Sequence, residues 1–364
     1  MQMKFFPSRT VAFYMARLFL VRTLAVLAAL VIILQALDLL GESGKILAYP
    51  GNGDAQLWTY VSLRMPQIVA RFLPFSVLLA TLITLSTLNQ NSEIVSLKAS
   101  GMSAHQVLAP LITASLLVVI VSFAFNDRIV ARATATLDQW QRVDYGPLPS
   151  DKGVLNNIWV RDGSRLVHIG QTFGRGTATQ VRAVTIYDRA SGALDWIITA
   201  PRGTFTGTAW RLEEALRFDV AKGTNTPLGT IDVGRGITPD QVTLANVDGD
   251  GLSFLGLAAA IEDLKVAGRP TLALEANLWH KLAGPLSALL MPLLGAVAGF
   301  GLARSGQLFI RLIVGMGLGF TYFVADNFAL AMGNLGAYPP MLAAWAPFLL
   351  FLLIGETVLV RTEE

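Results

Sequence analysis

Long apolar runs near both ends of the chain constrain its fold more than any other feature. A helix needs about 20 mostly apolar residues to cross the hydrocarbon core of a bilayer. Three such runs precede a polar middle segment and three follow it: Val11–Leu40, Tyr60–Leu88, Val107–Phe125, Leu278–Ala303, Phe309–Ala331 and Met341–Val360. The sequence therefore predicts six membrane-spanning helices, three on each side of an insert.

The composition agrees with a membrane protein. Hydrophobic residues make up 53% of the chain and charged residues only 15%, whereas soluble domains carry about 25% charged residues. A signal peptide is the rival interpretation of the first run. That run is long for a signal peptide, however, and no A-x-A-like cleavage site follows it. The absence of cysteine excludes disulfides and thiolate metal sites.

The positions of basic residues predict the orientation, because loops rich in Lys and Arg lie on the cytoplasmic side. Such residues lie before or early in the first run, between runs two and three, between runs four and five, and after run six. They are Lys4, Arg9, Arg17, Arg22, Lys98, Arg304, Arg311 and Arg361. The alternate loops are poorer in basic residues. Both termini are therefore predicted to be cytoplasmic, with the insert on the far side.

The insert changes from apolar runs to short alternating segments. Between Val154 and Val220, segments such as NNIWVRDG and AVTIYDR alternate apolar with polar residues and are separated by turn residues. This spacing predicts a sandwich or a jelly roll. The later segment LSFLGLAAAIEDLKVAG predicts an amphipathic helix, because Leu257, Ile261 and Leu264 recur at helical spacing.

No motif for catalysis or metal binding stands out. The chain has no G-x-x-x-x-G-K-[ST] loop and no G-x-S-x-G elbow. His105, His168 and His280 are widely separated, which favours polar surface or interface roles over a metal site. NVDGDG, with Asp248 and Asp250, resembles part of a calcium loop but lacks the later ligands, so we interpret it as a turn. We expect no cofactor, no enzymatic activity and no nucleic-acid binding.

Charged residues inside the predicted spans are candidates for function. Arg64 and Arg71 are seven residues apart, hence on one face of the second span, and no acidic residue stands three or four positions from either. Charge within a span usually faces a protein interior or a water-filled cavity; the alternative is snorkelling to the interface. Asp326 could relay protons or, with Asn327, form hydrogen bonds between helices, and the structural interpretation is favoured.

Several segments resemble one known family, in order along nearly the whole chain. They are NQNSEIVSLKASGMSAHQVLAP, NIWVRDGSRLVHI, NLWHKLAGPLSALLMPLLG, and RLIVGMGLGFTYFVADNFA followed by GNLGAYPP. These segments resemble the LptF/LptG permeases of the bacterial lipopolysaccharide exporter, and W-V-R-D-G favours the LptG branch. The resemblance implies a membrane α+β fold of six transmembrane helices with a periplasmic β-jelly-roll domain inserted between helices 3 and 4. The expected boundaries are 1–125, 126–270 and 271–364.

The resemblance also implies a function and partners. The chain would be the permease subunit of an ABC transporter of the inner membrane, without an ATPase site of its own. It would extract lipopolysaccharide and pass it to a periplasmic bridge toward the outer membrane. The implied partners are the paralogous permease LptF, a dimer of the ATPase LptB, LptC and the LptA bridge. Two alternatives stay open: a proton-coupled secondary transporter with Asp326 as its relay, and a non-transporting scaffold whose β domain binds other proteins.

The resemblance further implies which residues act in coupling to the ATPase. A coupling helix near residues 90–101 would dock into the ATPase, with Glu93 as its charged contact. The alternative is that Glu93 is a solvated loop carboxylate. Ser100 and Gly101 would end this helix, because glycine suits a left-handed cap.

The substrate contacts implied by the resemblance lie at the periplasmic end. There Arg64, Arg71 and Lys45 would bind lipopolysaccharide, whose phosphates suit guanidinium groups. The chain departs from the family where further basic residues are expected. Asp38 and Glu42 stand at the end of the first span, and Gln67 stands early in the second. Some substrate contacts are therefore expected to be relocated.

Overall fold

A computed structural model describes residues 8–147, 155–173, 179–189, 194–234, 236–239, 242, 249–266, 269–299 and 308–361. The chain divides into two compact units. The first, here called the membrane unit, comprises Met1–Tyr145, Gly249–Ala258 and Thr271–Glu364. The second, the β domain, comprises Gly146–Asp248 and Ala259–Pro270. Lys4, Asp248 and Arg304, which the sequence analysis used, lie outside the described residues.

Long helices make up the membrane unit. In chain order the helices are α1 (Arg9–Ala48), α2 (Asp54–Gln90), α3 (Glu93–Ala99), α4 (Ala104–Phe125), a π-helical turn (Asn126–Val130), α5 (Ala131–Arg142), α6 (Phe254–Val266), α7 (Leu272–Gly299), α8 (Leu308–Asn334) and α9 (Pro340–Arg361). The predicted amphipathic helix is α6, which begins in the membrane unit and continues into the residues assigned to the β domain. Its three marker residues are all buried.

Five stretches of these helices are long and apolar enough to cross a membrane: Arg9–Ala48, Asp54–Gln90, Ala104–Arg142, Ile313–Asn334 and Pro340–Thr357. Helix α7, with 28 residues, is also long enough. It packs against α2, α4, α8 and α9. The predicted membrane α+β fold is confirmed, with five of the six predicted spans meeting both requirements within the described residues.

Three helices are much longer than a bilayer requires. The continuous helix from Ala104 to Arg142 has 39 residues, and α1 and α2 have 40 and 37. At 1.5 Å per residue each is roughly 55–60 Å long, against about 30 Å of hydrocarbon. The π-helical turn lets α4 continue into α5, where the sequence analysis ended the span at Phe125. The β domain therefore begins at Gly146 instead of near residue 126.

The described strands of the β domain form one sheet. Its strands are β1 (Leu155–Asp162), β2 (Arg165–Phe173), β3 (Gln180–Asp188), β4 (Trp196–Phe205), β5 (Trp210–Asp219) and β6 (Thr224–Val233). All neighbours pair antiparallel, and the described strands follow one another in chain order. The alternating segments predicted between Val154 and Val220 cover the first five strands, whereas β6 was not predicted. In β6, Pro227 and Gly229 disfavour a strand and are tolerated here at a sheet edge.

One line of backbone breaks crosses this sheet, and we call it the crease. It runs through Gly170, Ala183, Pro201 and Glu214, which are aligned on neighbouring strands by the register, and it reaches β6 at an irregularity beside Gly229, which pairs with Ala215. From β2 to β5, pairing among the described residues stops at this line: Ile169–Val184 and Gln171–Arg182 are paired, but Gly170 and Ala183 between them are not. Ala183, Glu214 and Gly229 have left-handed φ values of 52°, 54° and 67°.

The crease folds the sheet around a core. Val181 and Val184 are both buried although they are three residues apart, and the same holds for Leu212 and Ala215. In a regular strand, side chains three residues apart point to opposite faces of the sheet. The alternation of buried and exposed side chains must therefore shift by one residue at the crease. The sheet thus forms two wings around one core. The first wing comprises 158–162, 165–169, 184–188, 196–200, 215–219 and 224–228; the second comprises 155–156, 171–173, 180–182, 202–205, 210–213 and 230–233.

Candidate functional site

The short helix α3 has defined ends. Ser92 before it has a left-handed backbone with φ 60°. Gly101 beyond it has φ 86°, and its N–H donates to the Lys98 carbonyl at 3.0 Å. The Ser100 hydroxyl donates to the carbonyl of Leu97 at 2.7 Å. The predicted helix end at Ser100 and Gly101 is confirmed, whereas a role in coupling stays a prediction.

Glu93 occupies the first turn of α3 and is half-buried. The Tyr14 hydroxyl, from α1, and the Asn91 side-chain amide each lie 3.4 Å from its carboxylate. The next residue, Ile94, is buried in the core of the membrane unit, while Val95 is 54% exposed. Helix α3 is therefore held to the unit by Ile94 and leaves an apolar side chain beside a carboxylate at the surface.

A polar network joins the other ends of α1 and α2 to α5. The guanidinium of Arg64 forms an ion pair with Asp38 at 3.0 Å, and the Tyr60 hydroxyl donates to the same carboxylate at 2.6 Å. Arg64 also donates to the Gln67 side-chain oxygen at 2.6 Å. Gln67 in turn donates to the Thr134 hydroxyl at 3.1 Å. Three helices are thus connected through side chains.

A second part of this network lies at the ends of α1 and α5. Lys45 donates to Glu42 at 2.7 Å, and the Tyr145 hydroxyl donates to the other oxygen of Glu42 at 2.8 Å. The Asn52 amide donates to the Tyr145 carbonyl at 3.0 Å. Burial, reinforced by the bond to Glu42, raises the pKa of the Tyr145 phenol to about 12, so this hydroxyl stays a donor at neutral pH.

The structure separates the two arginines that the sequence analysis treated alike. Arg64 is neutralised by Asp38, which comes from another helix 26 positions away and so escapes a search at helical spacing. Arg71 is exposed and forms no ion pair within the described part of the chain. Lys45 is 68% exposed but bonded to Glu42. Asp38 and Glu42, which looked like departures from the family, are thus partners of two of the predicted basic residues.

Two further arginines were missed by the sequence analysis. Arg128, in the π-helical turn, and Arg132, in α5, are both exposed and four positions apart. Neither forms an ion pair among the described residues. The bond from Gln67 to Thr134 brings α5 alongside α2, one turn from Arg71. Both arginines are visible in the segment NDRIVARA, but that segment was assigned to the soluble insert.

The remaining polar pairs of the membrane unit link helices. His280 of α7 lies 3.0 Å from the carboxylate of Asp326 of α8, which is only 9% exposed. Asn327 instead donates to the carbonyl of Phe323 in its own helix. The predicted hydrogen bonding between helices is therefore found at Asp326, with His280 as the partner. His105 lies 2.8 Å from Glu356 and links α4 to α9.

The β domain holds a narrow apolar cavity of about 20 Å³, close to the space of one water molecule, and it is partly open to solvent. Its apolar lining comes from both wings and the segment after β6: Val167, Ile169, Val184 and Ile186 from the first wing, Val181, Trp210, Leu212 and Val233 from the second, then Gly234 and Ile237. Asp162 and Arg165 also border the cavity, but its free surface is wholly apolar, and Arg165 pairs with Asp188 at 2.9 Å. No group of three potential metal ligands occurs among the described residues.

Comparison with known proteins agrees with this architecture. The model of the family described as lipopolysaccharide export system permease LptF/LptG matches residues 13–361. The chain is 27% identical to the lipopolysaccharide export system permease protein LptG of Escherichia coli K12, over 93% of this chain and 94% of that protein. It is 22% identical to LptG of Haemophilus influenzae Rd, over 86% of this chain and 89% of that protein. The chain therefore belongs to the LptF/LptG family of lipopolysaccharide export system permeases.

Proposed function

We propose that this chain is the LptG-type permease subunit of an inner-membrane exporter that extracts lipopolysaccharide and passes it to a periplasmic bridge. The observation that carries the proposal is the cavity of the β domain. Its free surface is wholly apolar, which suits the acyl chains of a lipid. The relatives named LptG support the same substrate.

In this proposal both termini are cytoplasmic and the β domain is periplasmic. The positive-inside rule supports this orientation through Arg9, Arg17, Arg22 and Lys98. Helices α1 and α8 are the least buried of the candidate spans, with 17% and 22% of their apolar windows buried, against 56% for α2. Their outer faces are thus available to lipid and to neighbouring helices, including those of the paralogous permease LptF and of LptC.

Arg71 is the strongest candidate for a lipid-phosphate contact. It is exposed and unpaired in the described part of the chain, and the exposed Arg128 and Arg132 lie on the helix that packs beside it. Arg64 and Lys45 are already paired with Asp38 and Glu42. Each can bind phosphate only if the phosphate replaces that carboxylate. A phosphate contacted by several guanidinium groups forms strong bidentate bonds. We therefore rank Arg71 first among the predicted substrate contacts.

Energy would come from a separate ATPase, the LptB dimer, docking at α3. Glu93 and the exposed Val95 offer a charged and an apolar contact on one short helix. Removing one partner of a buried interfacial charge pair commonly costs about 2–5 kcal/mol. Glu93→Ala should therefore reduce ATPase association at least tenfold. Asp54→Ala removes an exposed carboxylate at the other end of α2 and serves as the matched control.

The test is reconstitution of the chain with its paralogue and the ATPase in vesicles containing lipopolysaccharide. The expected result is ATP-dependent release of lipopolysaccharide to an acceptor β-jelly-roll protein such as LptA, lost in Glu93→Ala and kept in Asp54→Ala. Release that follows a proton gradient without the ATPase would favour the secondary-transporter alternative, for which the buried Asp326–His280 pair is the specific observation. Absence of release under both conditions would favour a scaffold.

A further inference from the structure

We propose that the β domain is a hinged clamp that opens and closes its apolar cavity by flexing along the crease. This inference rests on the proposed function, because lipid chains are the occupants of the cavity. The crease crosses β2 to β5 at Gly170, Ala183, Pro201 and Glu214, and β6 follows it through a register shift beside Gly229.

The hydrogen-bond ladder favours movement along this line. On β3 and β4, Arg182–Arg202 and Val184–Ala200 are paired, but Ala183 and Pro201 between them are not. On β4 and β5, pairing stops at Thr199–Leu216 and resumes at Arg202–Glu213. Each wing keeps its own ladder among the described strands. Rotation of one wing against the other therefore breaks few backbone hydrogen bonds.

The residues on the crease are unusual for strand interiors. Pro201 has no N–H to donate to a ladder. Ala183 and Glu214 hold left-handed backbone conformations, which side-chain-bearing residues rarely adopt because the Cβ then lies too close to the following carbonyl oxygen. A Cβ at Gly170 would lie 2.9 Å from the Cβ of Ala183, so only glycine allows this approach. The bend is thus built into the backbone at one line.

The cavity lies where such flexing would change its width. Val184 and Ile186 line it from the first wing, and Val181 and Leu212 line it from the second. Because the same cavity is bounded by both wings, the angle at the crease sets the space between them. A rigid sheet would have to admit acyl chains through a fixed opening. A hinged sheet admits them by spreading its wings.

The closed state has an identifiable contact. Gly236, just after β6, lies so close to the first wing that a Cβ there would be 3.0 Å from the Oδ1 atom of Asp162. Asp162 lines the cavity at the end of β1. This contact joins the tip of the first wing to the segment that follows the second. Covalent closure at this point should prevent the clamp from opening.

The experiment joins the two wings by a reversible disulfide lock. Because the chain contains no cysteine, only the introduced thiols can form it. Asp162→Cys with Gly236→Cys spans the cavity, whereas Thr185→Cys with Thr199→Cys joins register partners within the first wing and is the matched control. Mass spectrometry verifies each disulfide. A short bismaleimide replaces the disulfide where the thiols stay reduced. Photo-crosslinking residues at positions 233 and 71 report lipopolysaccharide in the cavity and in the membrane unit of the reconstituted exporter.

We expect the oxidised Asp162–Gly236 lock to reduce crosslinking at position 233 at least tenfold, while crosslinking at position 71 persists. Reductant should restore the signal at position 233, and the Thr185–Thr199 control should change neither signal. Equal crosslinking at position 233 with the lock open and closed would overturn the hinge. Absence of crosslinks at both positions in the reduced protein would instead count against the proposed function.

Discussion

The polar network of α1, α2 and α5 and the crease of the β domain shape their units in opposite ways. In the helices most backbone groups form hydrogen bonds within their own helix, so backbone hydrogen bonds do not determine which helices pack together. Side chains supply that information through Asp38, Arg64, Gln67 and Thr134. In the sheet the backbone itself connects neighbouring strands, and the shape is decided where those connections stop, at the crease.

This difference predicts which kind of substitution should destabilise each unit most. A helical unit should lose most when a polar side-chain partner is removed. A folded sheet should respond most to changes in the local backbone or in the space at the bend. The following predictions test this contrast on the full chain, beginning with the largest expected effect.

Removing Arg64 should destabilise the membrane unit, because Asp38 then loses its ion pair while it remains mostly buried. Hydrogen bonds to charged groups contribute about 1.5–3 kcal/mol, so Arg64→Ala should lower the stability by about 2–3 kcal/mol. Arg71→Ala, on the same helix and without an ion pair in the described structure, should cost less than about 0.5 kcal/mol. Thermal unfolding of both variants in the same detergent measures the difference. Equal losses would show that the network does not hold these helices together.

Filling the space at the crease should be the most damaging small change in the β domain. Gly170→Val places a branched side chain against Ala183, where even a Cβ would be 2.9 Å away. Overpacking of this kind costs about 1–3 kcal/mol. Hydrogen exchange of the β-domain amides should show earlier opening in this variant. Thr185→Val, on the neighbouring strand of the same sheet, is the control and should leave the exchange nearly unchanged.

Relieving the backbone at the crease should have the smallest effect and the opposite sign. Glu214→Gly removes a side chain from a residue with φ 54°, so we expect stabilisation of about 1 kcal/mol. Glu213→Gly, one residue earlier in a regularly paired position, should destabilise by about 0.5–1 kcal/mol. Denaturant unfolding of the two variants checks the sign. Destabilisation of the same size at both positions would mean that the left-handed backbone carries no strain.

Much of the architecture could be predicted from residues that lie close together in the sequence. The apolar runs, the alternation of NIWVRDG and its neighbours, and the glycine after α3 each report a local preference. The pairing of Arg64 was not accessible, because its acidic partner lies 26 positions away on another helix. The extension of α4 into α5 was also missed, because Asn126, Asp127 and Arg128 resemble the end of a span.

The sequence by itself determined that the chain crosses a membrane, carries a β domain in its middle and belongs with the LptF/LptG permeases, because hydrophobic period and motif order are local properties. Only the tertiary structure decided that Arg64 is neutralised while Arg71 is not, and that one sheet folds on itself along the crease. Both depend on groups distant in the chain. Ala183 and Glu214 have no sequence signal for a left-handed backbone, and they adopt it because burying both wings around one core requires the bend.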